Sequence, residues 1–410
     1  YKPVSEDSAT LKFNNANKLL VKNDTHIVAF TRFGKSLVVK SPDKTDWSLT
    51  FCQSGKFTVI GIDTSGALNT CWLKETDTTI TLYYAFKQDT FRLQEYNLLD
   101  IAASIEVGPP VMAIDKSNQV HVAYMEAKIY GIWGNFYEVK YRRFPAGSPE
   151  LGIPWETAVS YSTETPASNL LISLVVDANR LPHIVYERYT SEEKGIIIVG
   201  YAVRYDSSWW NVEVDTGETP TIAVTQEDSL HIADIIWENN DTLYTTHYWY
   251  AGTSPRLGIC TDSVKQKIHA GQKPQASNQA IVFEYNDDVY YGAKTDSGFL
   301  AWLIKNISNS FTKSIDPQIT VVNDYAYFAW LECDVAPYRI MLCKRELPPE
   351  DVHSLKVDYT TSNSVILYWI NPQKRFAGVQ INYKTDGFPV SPFDGTIIRA
   401  NGDPGDTVQY

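Results

Sequence analysis

The chain has no excess of positive charge and no long apolar run. It carries 36 Lys and Arg residues against 48 Asp and Glu residues, a formal net charge of −12. Sequence-independent nucleic-acid binding requires a basic face that neutralises phosphates, so we predict no nucleic-acid partner. No stretch approaches the roughly 18 consecutive apolar residues of a membrane-spanning helix, so we predict no membrane span.

The familiar local motifs of catalysis and cofactor binding are also missing. The sequence contains no G-x-S-x-G, no Gly-rich phosphate loop, no C-x-x-C and no H-E-x-x-H. We therefore predict no cofactor and name no catalytic residue. Cysteine is scarce, and five cysteines cannot all pair: Cys52 with Cys71 and Cys333 with Cys343 are candidate disulfides, whereas Cys260 has no obvious partner.

Tyr and Trp are abundant, with 26 and 11 residues, and they recur in a repeating pattern. A chain rich in flat, half-polar side chains is usually rich in strands. Residues 110–124 (PVMAIDKSNQVHVAY) show one unit: an apolar strand, a turn that starts with Asp, and a second strand that ends in an aromatic residue. Similar second strands give seven units, near positions 26, 69, 121, 183, 231, 282 and 327.

The turn within each unit has its own sequence signature. Asp63, Asp115 and Asp177 open the turn, where a carboxylate can accept hydrogen bonds from backbone N–H groups. Gly66 and Asn118, three residues on, tolerate the left-handed conformation that such a turn needs. Third strands and Trp-initiated fourth strands follow, and we expect Trp residues such as Trp209 to pack between blades.

Seven units of four antiparallel strands predict an all-β fold, a seven-bladed β-propeller. The last unit, residues 317–346, has room for only three strands. The N-terminal stretch Ala9–Asn15 has no partner in the first unit. We therefore expect this stretch to supply the outermost strand of the seventh blade and to close the ring, which hides exposed strand edges.

The pattern of an apolar strand, an Asp turn and a His-initiated second strand resembles the sialidase-like (BNR-type) β-propellers of secreted bacterial and archaeal proteins. The resemblance covers roughly residues 1–346. The family's Asp-box, S-x-D-x-G-x-T-W, is nowhere intact, and Ser41-Pro42-Asp43 followed by Trp47 is the nearest approach. The sialidase Phe-Arg-Ile-Pro signature is absent as well, so no catalytic arginine is carried over.

The composition changes at Leu347, where two prolines follow. The remaining residues resemble the first part of a fibronectin type III domain, an immunoglobulin-like β-sandwich, with opening prolines, the alternation VILYW and Trp369 as core aromatic. Such a domain needs roughly 90–100 residues, and the chain ends at Tyr410, so we expect this domain to be incomplete. We predict two domains, a propeller at 1–346 and a partial fibronectin type III-like domain at 347–410.

Four histidines, His26, His121, His183 and His231, occupy about the same position in their repeats. Imidazole is the commonest metal ligand in proteins, so a metal centre has to be considered. Equivalent positions in a propeller lie one per blade and face neighbouring sheets, however. We therefore predict histidines packed between blades and bonded to backbone, and no metal site.

Carboxylates recur near the ends of the second strands. In a propeller these ends lie on the face whose loops surround the central channel. A ring of carboxylates there suits a cation or sugar hydroxyls, and ordinary solvated loop acids are the alternative. The residues concerned are Glu75, Glu126, Glu187, Glu238 and Glu332.

Two neighbouring loops between second and third strands combine these carboxylates with aromatic residues. Exposed flat rings beside carboxylates suit stacking on a sugar or a protein interface, whereas an extended hairpin whose aromatics pack on one another is the structural alternative. The predicted ligand-binding residues are Glu126, Tyr130, Trp133, Tyr137, Glu187, Arg188 and Tyr189.

These features predict a non-catalytic recognition or assembly module, extracellular or on the cell surface. Its partner would be a glycan or a surface protein, with further copies of the chain as another candidate. The first alternative is a polysaccharide-active enzyme, a lyase or glycosidase, in which a pair of Glu residues on the loop face acts as acid and base. The second alternative is a structural subunit of a surface layer or extracellular filament.

Overall fold

The structure of this chain is a computed structural model. It describes residues 2–3, 18–42, 47–88, 93–129, 135–163, 171–189, 196–205, 207–227, 230–251, 265–278, 280–294, 302–333, 339–348, 353–360, 365–371, 379–383, 396–400, 403 and 406–409. The chain divides into two compact units, residues 1–292 with 304–345, and residues 346–410 with 293–303.

The first unit consists of seven antiparallel sheets, the blades, numbered here in chain order. The N-terminal strand is β1 (Lys2–Pro3). Blade 1 contains β2 (Leu19–Lys22), β3 (Thr25–Arg32), β4 (Lys35–Ser41) and β5 (Ser48–Ser54). Blade 2 contains β6 (Lys56–Ile62), β7 (Leu68–Glu75), β8 (Thr79–Lys87) and β9 (Gln94–Ala102). Blade 3 contains β10 (Glu106–Val107), β11 (Val111–Ile114), β12 (Gln119–Ile129), β13 (Asn135–Pro145) and β14 (Glu156–Thr163).

The remaining blades repeat this arrangement. Blade 4 contains β15 (Ile172–Val176), β16 (Pro182–Tyr189), β17 (Ile197–Tyr205) and β18 (Ser208–Thr216). Blade 5 contains β19 (Glu218–Glu227), β20 (Leu230–Asn239), β21 (Thr242–Ala251) and β22 (Gln266–Ala270). Blade 6 contains β23 (Gln272–Ser277), β24 (Ala280–Tyr285), β25 (Asp288–Lys294) and β26 (Trp302–Asn306). Blade 7 contains β27 (Ser314–Val322), β28 (Tyr325–Glu332) and β29 (Arg339–Glu346), completed by β1.

The blades form a closed ring about a central channel. The first strand of each blade contacts the first strand of the next, and β27 of the last blade contacts β2 of the first. The predicted all-β seven-bladed propeller is confirmed. Among the described residues the helical content is small, and Pro149–Leu151 forms a short 3-10 helix.

The N-terminal strand closes the ring, as expected, but it lies earlier in the chain than the sequence pattern indicated. In β1, Lys2 pairs with Leu342 and Pro3 pairs with Met341, so β1 is the outermost strand of blade 7. The predicted closing stretch, Ala9–Asn15, lies outside the described residues. The position beside β29 is therefore taken by a two-residue strand.

Second strands and fourth strands differ in burial, and this difference explains their sequences. Six consecutive residues of β7 (LNTCWL) are buried, because the second strand is covered by neighbouring blades on both faces. The fourth strand β18 has alternating partly buried and exposed residues, as expected at the outer edge of a blade. Its Trp209 packs edge-to-face on Tyr141 of blade 3, at 5.0 Å between ring centroids, which places this Trp between blades as predicted.

The Asp residues stabilise the turns as the sequence predicts. Oδ1 of Asp115 accepts hydrogen bonds from the backbone N–H groups of Ser117 and Gln119, at 2.8 and 2.9 Å. Asp63 and Asp177 accept the corresponding bond from the residue four positions on, at 2.9 and 2.7 Å. The φ angles of Gly66 and Asn118 are +95° and +59°, the left-handed conformation expected for these turns.

His121 and His183 are buried inside their blades, and each contacts a tyrosine hydroxyl. Nδ1 of His121 is 2.7 Å from the hydroxyl of Tyr141, and its Nε2 is 3.5 Å from Asp115. His183 lies 2.7 Å from the hydroxyl of Tyr201 in the same way. Burial lowers the pKa of His121, so its imidazole is neutral at pH 7. The side chain of His231 lies outside the described residues.

The two disulfides considered from the sequence are not formed. Cys52, Cys71, Cys333 and Cys343 are present as thiols. Burial raises the pKa of Cys71, so this thiol behaves as a small core residue. Cys260 lies outside the described residues.

The second unit contains two small antiparallel sheets. One sheet is β30 (His353–Thr360), β31 (Val365–Ile370) and β34 (Thr407–Gln409), and the other is β32 (Val379–Tyr383) with β33 (Thr396–Ala400). The predicted core aromatic, Trp369, is buried and donates its indole N–H to Asn371 Oδ1 at 2.9 Å. In the described part of the chain no helix is both long and apolar enough to cross a membrane.

Replacing Asp115 with Ala should destabilise the propeller by about 2 to 4 kcal/mol, because two backbone N–H groups and the buried His121 would lose their acceptor. Urea unfolding at neutral pH measures this difference. Lys116→Ala, an exposed change in the same turn, is the matched control and should shift the free energy of unfolding by less than about 0.5 kcal/mol. Equal stability of the two variants would contradict the structural role of the carboxylate.

Candidate active site

Three consecutive blades carry a buried glutamate at the same place, near the end of the second strand. Glu187, Glu238 and Glu284 each follow a buried aromatic residue and are only 5 to 8% exposed. We call the side of the propeller at which second strands end and first strands begin the loop face. The three carboxylates therefore lie on the loop face of blades 4, 5 and 6.

A bulge in the first strand of the following blade explains why these glutamates are buried. Thr219, Lys273 and Asp316 have φ angles of +50°, +47° and +52°, and each lies at a break in strand register. The following residue is Pro in all three cases, which has no N–H of its own to offer. The N–H of the left-handed residue therefore points out of its own sheet, towards the preceding blade.

Each of these N–H groups donates to the glutamate of the preceding blade. Thr219 N donates to Glu187 Oε1 at 2.5 Å, and Lys273 N donates to Glu238 Oε2 at 3.0 Å. Asp316 N donates to Glu284 Oε1 at 2.7 Å. The carboxylates thus join blade 4 to 5, 5 to 6 and 6 to 7 through charge-assisted hydrogen bonds.

Glu187 and Glu238 form a pair through Thr219. The hydroxyl of Thr219 donates to Glu238 Oε2 at 3.2 Å while its N–H donates to Glu187. The nearest carboxylate oxygens of the pair are therefore less than about 10 Å apart, which overlaps the range of carboxyl pairs in glycosidases.

The environment of this pair raises both pKa values towards neutrality. Burial raises the pKa of Glu187 to about 7, although N–H groups of Leu171 and Thr219 oppose the rise; the charges of Glu218 and Glu238 add to it. Burial likewise raises the pKa of Glu238 to about 7, with a further contribution from Glu218. Buried carboxyls that titrate near pH 7 beside one another are a common feature of acid–base sites.

The two carboxyls of the pair differ in how their oxygens are bonded. Glu187 accepts an N–H bond on each oxygen, from Leu171 on Oε2 at 2.9 Å and from Thr219 on Oε1. The two bonds to Glu238, from Thr219 and Lys273, both end on Oε2. Hydrogen bonds from N–H groups favour the ionised form of a carboxyl group. Glu187 is therefore better suited to act as a carboxylate, and Glu238 is better suited to carry a proton.

Glu284 differs from the pair because it has a cation beside it. Lys273 Nζ lies 3.0 Å from Glu284 Oε1 and 3.6 Å from Asp316. Burial still raises the pKa of Glu284, although the Lys273 charge opposes the rise. A cleft of about 370 Å³ borders this carboxylate and includes Asp287 and Lys313 in its walls.

Three predicted residues come from the second loop. Glu187 is a member of the pair and Tyr189 lies on the same side of its strand, whereas Arg188 does not belong with them. Tyr189 lies two residues after Glu187 in β16, so the two side chains project from the same face of the strand. Burial and the charges of Glu187 and Glu218 raise the pKa of Tyr189. Arg188, on the opposite side of the strand, forms an ion pair with Glu213. The Arg188 side chain therefore forms its ion pair within its own blade.

The predicted residues of the first loop that the structure describes, Glu126 and Tyr137, contact other residues of their own blade. Lys128 Nζ lies 2.8 Å from Glu126 and 2.8 Å from Glu138, so Glu126 is part of an ion-pair cluster on the β12–β13 hairpin. Tyr137 is only 1% exposed and stacks on Tyr161 at 5.2 Å, so the expectation of an exposed ring is wrong for this residue. Tyr130 and Trp133 lie outside the described residues.

The strand register also revises the predicted ring of carboxylates. Glu75, Glu126 and Glu332 lie one or two residues beyond the position of Glu187 and Glu238, whereas Glu284, which the sequence pattern missed, occupies it. Glu75 pairs with Lys56 at 2.6 Å and is half exposed. The sequence contained a signal for the three buried glutamates: a residue followed by Pro recurs near the start of the first strand of the next blade, as Thr219-Pro220, Lys273-Pro274 and Asp316-Pro317. Among the described residues no group of three His, Cys, Asp or Glu side chains is arranged to hold a metal ion.

No protein-family model matches this chain, and no curated protein is significantly similar to it. Several solved structures share its fold. The Penicillium chrysogenum alpha-L-arabinanase complexed with arabinobiose has 9% identity and a TM-score of 0.50, over 84% of this chain and 98% of the arabinanase. The polysaccharide lyase Uly1 has 9% identity and a TM-score of 0.48, over 82% of this chain and 90% of the lyase.

A Trypanosoma rangeli sialidase is also similar, with 10% identity and a TM-score of 0.41, over 83% of this chain and 60% of the sialidase. At such low identities these similarities show the fold alone. Because an enzyme, the arabinanase, has the same fold, the comparison contradicts the expectation that this fold indicates a non-catalytic recognition or assembly module.

The raised pKa values predict that the propeller becomes more stable as the pH falls from about 8 to about 5. The unfolded pKa of Glu is about 4.3, so Glu187 and Glu238 take up protons on folding between these values, and the cost of burying two charges disappears. The urea midpoint of the wild type should rise on acidification, and that of Glu187→Gln should rise less. Glu95→Gln, an exposed change on β9, should keep the wild-type slope. Identical slopes in wild type and Glu187→Gln would contradict the shifted pKa.

Proposed function

We propose that this protein is a polysaccharide-active enzyme, a glycoside hydrolase, with Glu187 and Glu238 as its two carboxyl groups. The observation that carries the proposal is the pair itself: two buried carboxyls on adjacent blades, both bonded to Thr219, both with a pKa of about 7. Ordinary solvated loop acids would not have this combination of burial, proximity and raised pKa.

The bonding of the two carboxyls supports distinct roles. Glu238, whose recorded bonds leave Oε1 as the position for a proton, acts as the general acid that protonates the leaving glycosidic oxygen. Glu187, whose two oxygens each accept an N–H bond that favours its ionised form, accepts a proton from the attacking water. Tyr189 adds a neutral hydroxyl beside Glu187 that can orient that water or a sugar hydroxyl.

The surroundings favour hydrolysis of an uncharged chain over elimination from a uronate. Elimination requires a cation that neutralises the substrate carboxylate, and the lysines of this part of the loop face are already matched by acids. Lys273 is bonded to Glu284 and Asp316, and Lys313 to Asp287. A uronate would meet a predominantly acidic surface.

The remaining assignments follow from this function. The glycan predicted as partner is the substrate, and we place the protein outside the cell or on its surface, because a polymeric glycan does not cross a membrane. For the domain predicted at residues 347–410, the fibronectin type III-like assignment is supported by the buried Trp369 and by two small antiparallel sheets.

Incubation with a panel of neutral and acidic polysaccharides, followed by a reducing-end assay, tests the proposal. We expect new reducing ends from at least one neutral polymer and a loss of at least about 100-fold in kcat for Glu187→Gln and for Glu238→Gln. Glu95→Gln, far out on a fourth strand, should retain wild-type activity. Unsaturated, ultraviolet-absorbing products would instead identify a lyase, and full activity of both Gln variants would remove the pair from the mechanism.

The pH dependence of kcat/KM provides a separate test. The general acid must be protonated, so the rate should fall as the pH rises through about 7, where Glu238 loses its proton. The two carboxyls interact, so the profile reports values of the pair. A rate that is constant between about pH 6 and 9 would contradict the assignment of Glu238 as the acid.

A further inference from the structure

The joint between blades 2 and 3 differs from those that hold the glutamates. Leu73 and Met125 occupy the positions of Glu187 and Glu238 in their own blades, and both are buried. Above them the loop face opens into a cleft of about 340 Å³. At this joint apolar residues take the positions that have a carboxylate at other joints, and a cleft opens beside Met125.

Most of the residues that line this cleft are apolar, and polar groups at its rim supply a similar share of its open surface. The rings of Phe57 and Tyr137 and the side chains of Ile80, Val107 and Met125 line it. Four of these five residues are less than 8% exposed, and Val107 is partly exposed. Such a surface suits the C–H face of a sugar ring or an apolar substituent on it.

The rim of the cleft carries polar groups but no net positive charge. Lys56 Nζ pairs with Glu75 Oε1 at 2.6 Å and also lies 5.1 Å from the centre of the Phe57 ring. Glu106, an exposed residue of β10, adds a negative charge. The rim can therefore exchange hydrogen bonds with hydroxyls, whereas it would repel a carboxylate or sulfate.

We infer that this cleft is a binding subsite for one or two uncharged sugar units, held by their apolar face. Its volume lies at the lower end of the usual range for ligand sites. It opens on the same face as the Glu187–Glu238 pair but on different blades, so a chain bound across the face would reach both. This inference depends on the proposed function in one respect, namely that the ligand is a carbohydrate.

Phe57 is the residue through which this inference can be tested most cleanly. Its φ angle is +57°, at the bulge position where blades 5, 6 and 7 have Thr219, Lys273 and Asp316. A bulky residue is unfavourable in this conformation, so Phe57→Gly removes the ring while it relieves the backbone. Phe33 is the matched control, because it has a φ of +49° and is 77% exposed outside the cleft.

Isothermal titration calorimetry with four hexasaccharides tests the subsite directly. The probes are the hexamers of β-1,4-xylan, β-1,4-mannan, α-1,5-arabinan and polygalacturonate, with Glu238→Gln as background to suppress turnover. We expect at least one neutral hexamer to bind, Phe57→Gly to bind it at least about 10-fold more weakly, and Phe33→Gly to bind it unchanged. The galacturonate hexamer should not bind.

A second variant tests the charge argument without touching the buried walls. Glu75 is half exposed, so Glu75→Lys should fold normally, and its added positive charge should allow the galacturonate hexamer to bind. The inference is overturned if no neutral hexamer binds, if Phe57→Gly binds as well as its parent, or if the galacturonate hexamer binds the parent equally well.

The outcomes separate this inference from the proposed function. Binding that depends on Phe57, in a wild-type protein that releases no reducing ends from any polymer, would support the subsite and reject the enzyme. Cleavage of a neutral polymer with a KM that is unchanged in Phe57→Gly would support the enzyme and reject the subsite.

Discussion

Burial of the second strands on both faces is the constraint on which the rest of this propeller depends. A polar side chain on such a strand must find its partner inside the joint between two blades, because water does not reach it. At one end of the strand the partners are the turn Asp and a Tyr of the third strand, as around His121 and His183. At the other end they are N–H groups of the next blade, which bond to Glu187, Glu238 and Glu284.

The candidate site follows from this constraint. A carboxylate that joins two blades is necessarily buried, and burial raises its pKa. Where two such carboxylates share Thr219, the charge of Glu238 also makes Glu187 harder to ionise. Glu284 has the same position but a lysine beside it, so its charge is compensated. The same position in the repeat thus holds a titratable pair in blades 4 and 5 and an ion pair in blade 6, and a cleft opens at the joint where Leu73 and Met125 replace the acid.

The comparison with known structures is consistent with this view of a shared scaffold. The chain shares a propeller fold with an arabinanase at 9% sequence identity. Such a scaffold is specified by alternating apolar strands and short turns, which many sequences satisfy. The chemistry depends on which residues occupy a few positions on the loop face, and these positions are not visible as a contiguous motif in any of the repeats.

The amino-acid sequence by itself determined the all-β class, the seven repeats, the Asp-capped turns and the closure of the ring from the N-terminal side, because these features depend on local periodicity and turn chemistry. It also pointed to Glu187 and Tyr189. Tertiary structure decided that Lys2–Pro3 supplies the closing strand, that Glu126 and Tyr137 pack within their hairpin, and that Glu284 rather than Glu75 belongs with Glu238. The physical reason is that a bulge shifts strand register by one or two residues, and contacts between blades join residues more than 30 positions apart.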